Sequence, residues 1–232
     1  MRGRNAREQG GIITFLMGVV VVVVIGAGAF WWFFLRGDAA PKPKIEDTNV
    51  VAGGPLDGTW TVRPGSPSFV QYRAKEQFAG ATIETDATGR TGDVQATMTI
   101  NGTTVSGVRV TANLASLKSD KDRRDEKIKT DGLQTNEFPN VTFVQTRPLA
   151  LAEAPQKGTT VSTAAIGDLT LHGITRRVSI PLDGRWDGQT VQVVGELPIR
   201  FAEYGITPPN IGGFVNVASS GQMELQLVFT KG

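Results

Sequence analysis

The feature that most constrains this chain is a period-two alternation that recurs along its C-terminal three quarters. Val94, Ala96, Met98 and Ile100 alternate with Gln95, Thr97 and Thr99. Val108, Val110, Ala112 and Leu114 do so with Arg109, Thr111 and Asn113. Val141 and Phe143 flank Thr142, and Val178, Ile180 and Leu182 flank Ser179 and Pro181. Val191, Val193, Gly195, Leu197 and Ile199 form a longer face, and Met223, Leu225, Leu227 and Phe229 end the chain. Successive strand side chains point to opposite faces, so each run is a strand with one apolar side. Asn101-Gly102, Asp57-Gly58, Asp183-Gly184 and Asp187-Gly188 punctuate the runs as turns. Many one-sided strands must fold over each other, as a barrel or as a sandwich, and the pattern alone serves both.

The N-terminus follows another rule. Ile12 to Leu35 carries no charge, and Thr14 is its only residue that is neither apolar nor Gly. As a helix these residues span roughly 36 Å, more than the ~30 Å of a bilayer core. The run is too long for the apolar region of a cleaved signal and ends in WWFFL rather than at a small-x-small site. An uncleaved single-pass transmembrane helix is therefore expected at 12–35. Residues 1–11, with Arg2, Arg4 and Arg7, would form a cytoplasmic tail. The bias is slight, because Arg36, Lys42 and Lys44 follow the helix. The remaining chain is expected outside the cytoplasm, at the cell membrane. Residues 36–55 are rich in Pro, Gly, Ala and charge and read as a flexible linker. Residues 56–232 are one domain, large enough to bury a core or enclose a cavity.

Composition excludes several chemistries. There is no cysteine, hence no disulfide, thiol nucleophile or cysteine metal ligand. Net charge is +2 from 24 basic and 22 acidic residues, too balanced to argue for a nucleic-acid partner. His172 is the only histidine. Asp168 lies four residues before it, on the same face if both belong to one strand, yet no activated serine or G-x-S-x-G elbow accompanies them. No catalytic residue, metal site or cofactor is expected, and the pair reads as turn-adjacent polar residues bonding to backbone. Ser119–Leu133 carries nine charged residues of mixed sign in its first eleven and reads as a short, solvated helical crossover.

Asp122-Arg123-Arg124-Asp125-Glu126-Lys127, followed by Asn136-Glu137-Phe138-Pro139-Asn140-Val141-Thr142-Phe143, resembles the central signature of the YceI-like domain family. Gly167-Asp168-Leu169-Thr170-Leu171-His172-Gly173-Ile174-Thr175 is similar to its second signature, and Phe201-Ala202-Glu203-Tyr204-Gly205-Ile206 to a third. Gly58-Thr59-Trp60 and the strand at Phe69 fit the family's start. The resemblance covers nearly all of 56–232. It implies an all-β fold, an extended lipocalin-like antiparallel β-barrel of about eight strands with a short helical crossover. Its interior would hold an isoprenoid, quinone or fatty-acid-like lipid. The N-terminus departs from the family in keeping an anchor.

The expected function is then a membrane-anchored lipid-binding protein, not an enzyme. Its partners would be a lipid, the membrane through 12–35 and, as oligomer, a second copy in a homodimer. Six of the 17 aromatics sit in 12–35. Those left to the domain supply the candidate cavity wall: Phe78, Phe138, Phe143, Phe201, Tyr204 and Phe214, with Ile206 beside them. Arg123, Arg124 and Lys127 are candidates for a lipid headgroup, since guanidinium groups match phosphate oxygens. The alternative is a cell-envelope protein-interaction module, with a filled core and an exposed apolar patch.

Overall fold

The computed structural model describes residues 39–65, 67–78, 84–208 and 215–232. The expected tail at 1–11 and membrane helix at 12–35 lie outside the described residues, among which no helix is long and apolar enough to cross a membrane. The alternating runs form β1 (Gly58–Val62), β2 (Phe69–Phe78), β3 (Glu84–Thr91), β4 (Val94–Asn101), β5 (Thr104–Asn113) and β6 (Lys118–Ser119). After one short helix, α1 (Asp122–Lys127), come β7 (Asn140–Gln145), β8 (Leu149–Ala150), β9 (Thr160–Leu171), β10 (Ile174–Trp186), β11 (Thr190–Arg200) and β12 (Val215–Lys231). In β4 burial alternates at every residue, with Val94, Ala96, Met98 and Ile100 inward.

Eight strands run in the order β1-β4-β5-β7-β9-β10-β11-β12, all antiparallel. The ring closes where Trp60 and Thr61 pair with Lys231 and Thr230. That pairing selects a barrel over a sandwich and removes two sheet edges. β12 is long enough to hold two partners on one edge: β2 along Val215–Gln226, then β1 at its end. Its pairing with β2 is interrupted by a register shift between Val217 and Gly221. β3 and then β6 continue from β2.

Local backbone chemistry fits these bends. Gly102 takes a φ of 55° in the β4–β5 hairpin, and Gly188 one of 112° after β10. β4 and β5 slip register between Thr97 and Thr99, opposite Gly107 at φ 65°. This glycine bulge lets Val105 and Val108, three residues apart, both face the interior. Asp183-Gly184 is not a turn: both residues lie inside β10, paired with β9 and β11. A strand with neighbours on both sides supplies ladder bonds that outweigh the local turn preference of Asp-Gly.

The stretch expected to be a free linker also differs. From Ala40 to Val51 it lies against the barrel wall as a strap. The Ala40 amide donates to Thr88 Oγ1, and the Glu46 amide to Gln192 Oε1. Arg73 donates to the Ala40 carbonyl, Arg185 to the carbonyls of Glu46 and Thr48, and the Val51 amide to the Asp187 carbonyl. Pro-rich composition signals extended backbone, which is free only where no neighbouring side chain meets its carbonyls.

Candidate functional site

Inward positions of the strands are mostly Val, Leu, Ile, Ala and Gly, which leave the barrel unfilled. A cavity of about 150 Å³ is walled by Met98, Val110, Phe143, Leu169, Ile180, Trp186, Val193 and Leu225, among others. Gly184 of β10 also lines it. A second cavity, about 120 Å³, is lined by Tyr72, Glu76, Ala87, Leu117, Ile199, Phe201, Ile206 and, from α1, Arg124 and Lys127. Both touch Val70, Val141 and Met223, so they adjoin along the barrel. An eight-stranded barrel either fills its interior with side chains or holds one small ligand.

The structure divides the expected wall residues. Phe143 lines the first cavity, and Phe201 and Ile206 the second. Tyr204 is buried but lines neither; Phe138 is half-buried and packs edge-on against the His172 ring, 4.5 Å between centroids. Phe214 and the Phe78 side chain lie outside the described residues. Tyr72, Glu76, Met98 and Trp186 are wall residues not among those expected. The inward row of β2, Val70, Tyr72, Ala74 and Glu76, carries a period-two signal that could have found two of them.

The His172 region is a structural junction. His172 and Gly173 take φ of 51° and 72° in the β9–β10 hairpin. His172 Nδ1 lies 2.9 Å from the Tyr204 carbonyl oxygen, to which it donates, and Nε2 lies 2.8 Å from the Gln134 side-chain amide. Asp168 is not its partner but pairs with Arg177 on the exposed face, at 3.0 Å. Three of the segments carrying the family resemblance, 136–143, 167–175 and 201–206, thus meet at this hairpin.

In the crossover, Asp125 is buried and accepts from the amide and hydroxyl of Ser119. Arg124 meets Glu76 with two hydrogen bonds of 3.0 Å each and also pairs with Asp120. Burial opposes its charge, but the Glu76 and Asp120 interactions together hold its pKa above the ordinary arginine value. Lys127 pairs with Asp131 at 2.8 Å, and Arg123 is exposed. On the outward face of β2 and β12, beneath the strap, Glu224 is fully buried. It accepts from Arg73 at 2.7 Å and from Gln71, whose amide also reaches the Pro41 carbonyl.

A model of the YceI-like domain matches residues 60–229. This chain belongs to the YceI-like domain family. A UPF0312 protein of Vibrio vulnificus strain YJ016 is 25% identical over 124 residues, covering 50% of this chain and 62% of that protein. One from strain CMCP6 matches to the same extent. The chain therefore spans about three fifths of the length of these curated relatives. Among solved structures, this YceI-like domain is similar to a polyisoprenoid binding domain from Saccharophagus degradans implicated in plant cell wall breakdown. The TM-score is 0.58 at 12% identity, covering 76% of this chain and 99% of the other. It is also similar to BcnA of Burkholderia cenocepacia, with a TM-score of 0.53 at 20% identity over 69% and 95% of the two chains. At these identities the likeness speaks for the fold of the YceI-like barrel.

Proposed function

We propose that this protein binds an isoprenoid-type or similar amphiphilic lipid inside its barrel and carries or sequesters it at a membrane. The observation that carries this reading is the pair of adjoining, apolar-walled cavities inside a closed barrel. A lipid chain entering such a space gains about 0.8 kcal/mol per buried methylene, so several prenyl units bind without a catalytic residue or cofactor. The Saccharophagus degradans neighbour, a polyisoprenoid binding domain, supports the choice of ligand class. The charge-free run at 12–35 supports a tether, with the barrel on the extracytoplasmic side. A tether would raise the barrel's effective concentration at the lipid surface. The interaction-module alternative is less favoured by a barrel that is not filled. Among the described residues its large exposed hydrophobics are Val50, Val51 and Ile174.

The test is mass spectrometry of lipid extracted from the purified full chain, with uptake assays on lipid-stripped protein. Stoichiometric polyprenyl, quinone or fatty-acyl lipid is the expected result. A barrel that is empty on isolation and takes up none of these chains would remove the reading. A reporter fused after Gly232 checks the side of the membrane; a cytoplasmic signal would overturn the proposed orientation.

A further inference from the structure

The two cavities lie end to end along the barrel, and the inward rows pass from one to the other at a single level. On β9, Leu169 lines the first cavity and Leu171 the second. On β5 and the turn after it, Ala112 and Leu114 divide in the same way. On β12 the row runs Gly221, Met223, Leu225: the glycine lines the second cavity, the leucine the first, and Met223 both. Val70 of β2 and Val141 of β7 also line both. β7 stands four strands from β12 in either direction round the eight-stranded ring, so Val141 faces Met223 from the opposite wall. Val70 flanks Met223 on the neighbouring strand, where it pairs with Leu225. Together the three side chains form a waist across the barrel.

The waist matters because neither cavity alone is large enough for a lipid chain. A dry apolar cavity of about 150 Å³ takes a molecule the size of benzene. The cavities here are about 150 and 120 Å³, so a chain of several prenyl units has to occupy both and cross between Met223 and Val141. The waist residues differ in stiffness. Val70 and Val141 are buried in strands, and their β-branched side chains are held at χ1. Met223 is unbranched, has three rotatable side-chain bonds and is only partly buried. It is the one side chain of the three that can swing aside without moving backbone.

We propose that Met223 is the specificity-determining residue of the barrel, a movable gate that admits one linear chain through the waist and turns away fused-ring lipids of the same carbon number. This rests on the lipid-binding reading and deepens it by naming the shape of lipid selected. A linear chain needs a passage only one chain wide, which the swing of a single side chain provides. A fused-ring skeleton needs the width of its rings at one level, which the stiff valines deny. The linear chain therefore buries hydrocarbon on both sides of the waist, and the ring system on one side only.

The experiment uses the full chain, stripped of lipid and held in mild detergent. Equilibrium dialysis compares two sesquiterpene alcohols of equal carbon number, the linear farnesol and the tricyclic cedrol. The wild type should bind farnesol roughly tenfold or more tightly than cedrol, because leaving even two methylene-sized groups unburied costs about that factor. Met223→Ala opens the waist and should raise cedrol affinity until the preference falls to about threefold or less. Met223→Trp fills the waist and should weaken farnesol by roughly tenfold. Val141→Phe narrows it from the opposite wall and is read in place of Met223→Trp if circular dichroism shows the latter unfolded. Met98→Ala, which enlarges the first cavity away from the waist, is the comparator. Cedrol bound as tightly as farnesol by the wild type overturns the proposal while leaving lipid binding intact. So does farnesol affinity within about twofold of wild type in a folded waist-filling variant. A preference lost in Met98→Ala to the same extent as in Met223→Ala overturns it as well. If neither alcohol binds, the lipid-binding reading falls, and this proposal with it.

Discussion

Replacing Asp187 separates the barrel's electrostatics from its packing. Asp187 closes the β10–β11 turn and is 7% exposed. One carboxylate oxygen accepts from the amides of Gln189 and Thr190 at 2.8 and 2.7 Å. The other accepts from the hydroxyls of Thr190 and Thr48 at 2.7 and 3.2 Å, so the same side chain pins the strap. Burial alone would raise its pKa, but the bonds from Thr190, Gln189 and Thr48 outweigh it and hold the carboxyl below its usual 3.8. Asp187→Ala removes four acceptor contacts and orphans two turn amides. With charged hydrogen bonds contributing about 1.5–3 kcal/mol when buried, and some water reaching the opened turn, the net cost is about 3 kcal/mol. For a domain of this size that lowers the melting temperature by roughly 6–12 °C. Asp187→Asn keeps one acceptor oxygen and should cost about 1 kcal/mol.

The pH dependence has a definite sign. A carboxyl whose folded pKa is depressed contributes stability above its unfolded pKa and loses it as pH falls through the folded value. The gap between wild type and Asp187→Asn should therefore be constant from pH 7 to about 5 and close below about pH 4. Asp86, whose pKa Lys75 and Arg73 lower against the opposing effect of burial, titrates in both proteins and cancels in the difference. Urea denaturation at several pH values measures this. A cost under about 0.5 kcal/mol for Asp187→Ala, or a gap that persists unchanged at pH 2.5, would refute the argument.

Three further outcomes are expected. Gly167→Ala should lower the melting temperature by several degrees in a thermal scan, because its Cβ would collide with the Phe143 ring and lie 2.5 Å from the Val144 carbonyl oxygen; overpacking of this kind costs about 1–3 kcal/mol. Arg185→Ala removes donors to the Glu46, Thr48 and Gly158 carbonyls. It should speed amide hydrogen exchange across the strap several-fold while exchange in β9 and β12 stays at the wild-type rate. Ala165→Phe projects a ring into the first cavity and should cut lipid bound per chain several-fold with the fold retained by circular dichroism.

Strand identity was legible because its cause is local. A half-buried strand writes its two faces directly into alternate residues, as β4 and β12 do. Hairpin positions were legible for the same reason where glycine must take positive φ, as at Gly102 and Gly188. Asp183-Gly184 has the same local signal and fails, because β9 and β11 hold it in a continuous strand. Phe143, Phe201 and Ile206 were recognisable as wall residues by apolar type. Phe138 and Tyr204 are of the same type, yet the hairpin at His172 draws them out of the cavity lining. Tyr72 and Glu76 stand on the inward row of β2 with Val70 and Ala74, so their period-two spacing places them on the wall, while their polar ends hide that role from a reading by apolar type.

By itself, then, the sequence determined the β class, the inward rows, the hairpins that need glycine, and a charge-free run long enough for a bilayer. Each depends on a residue and its near neighbours. Only the tertiary structure decided closure of the ring, which rests on Trp60 and Thr61 meeting Lys231 and Thr230 from opposite ends of the domain. The same holds for the strap, whose carbonyls find Arg73 and Arg185, and for the neutralised cations of the second cavity, where Glu76 reaches Arg124 from β2. These pairings join residues far apart in the chain, and no local pattern encodes which distant partner a buried charge will find.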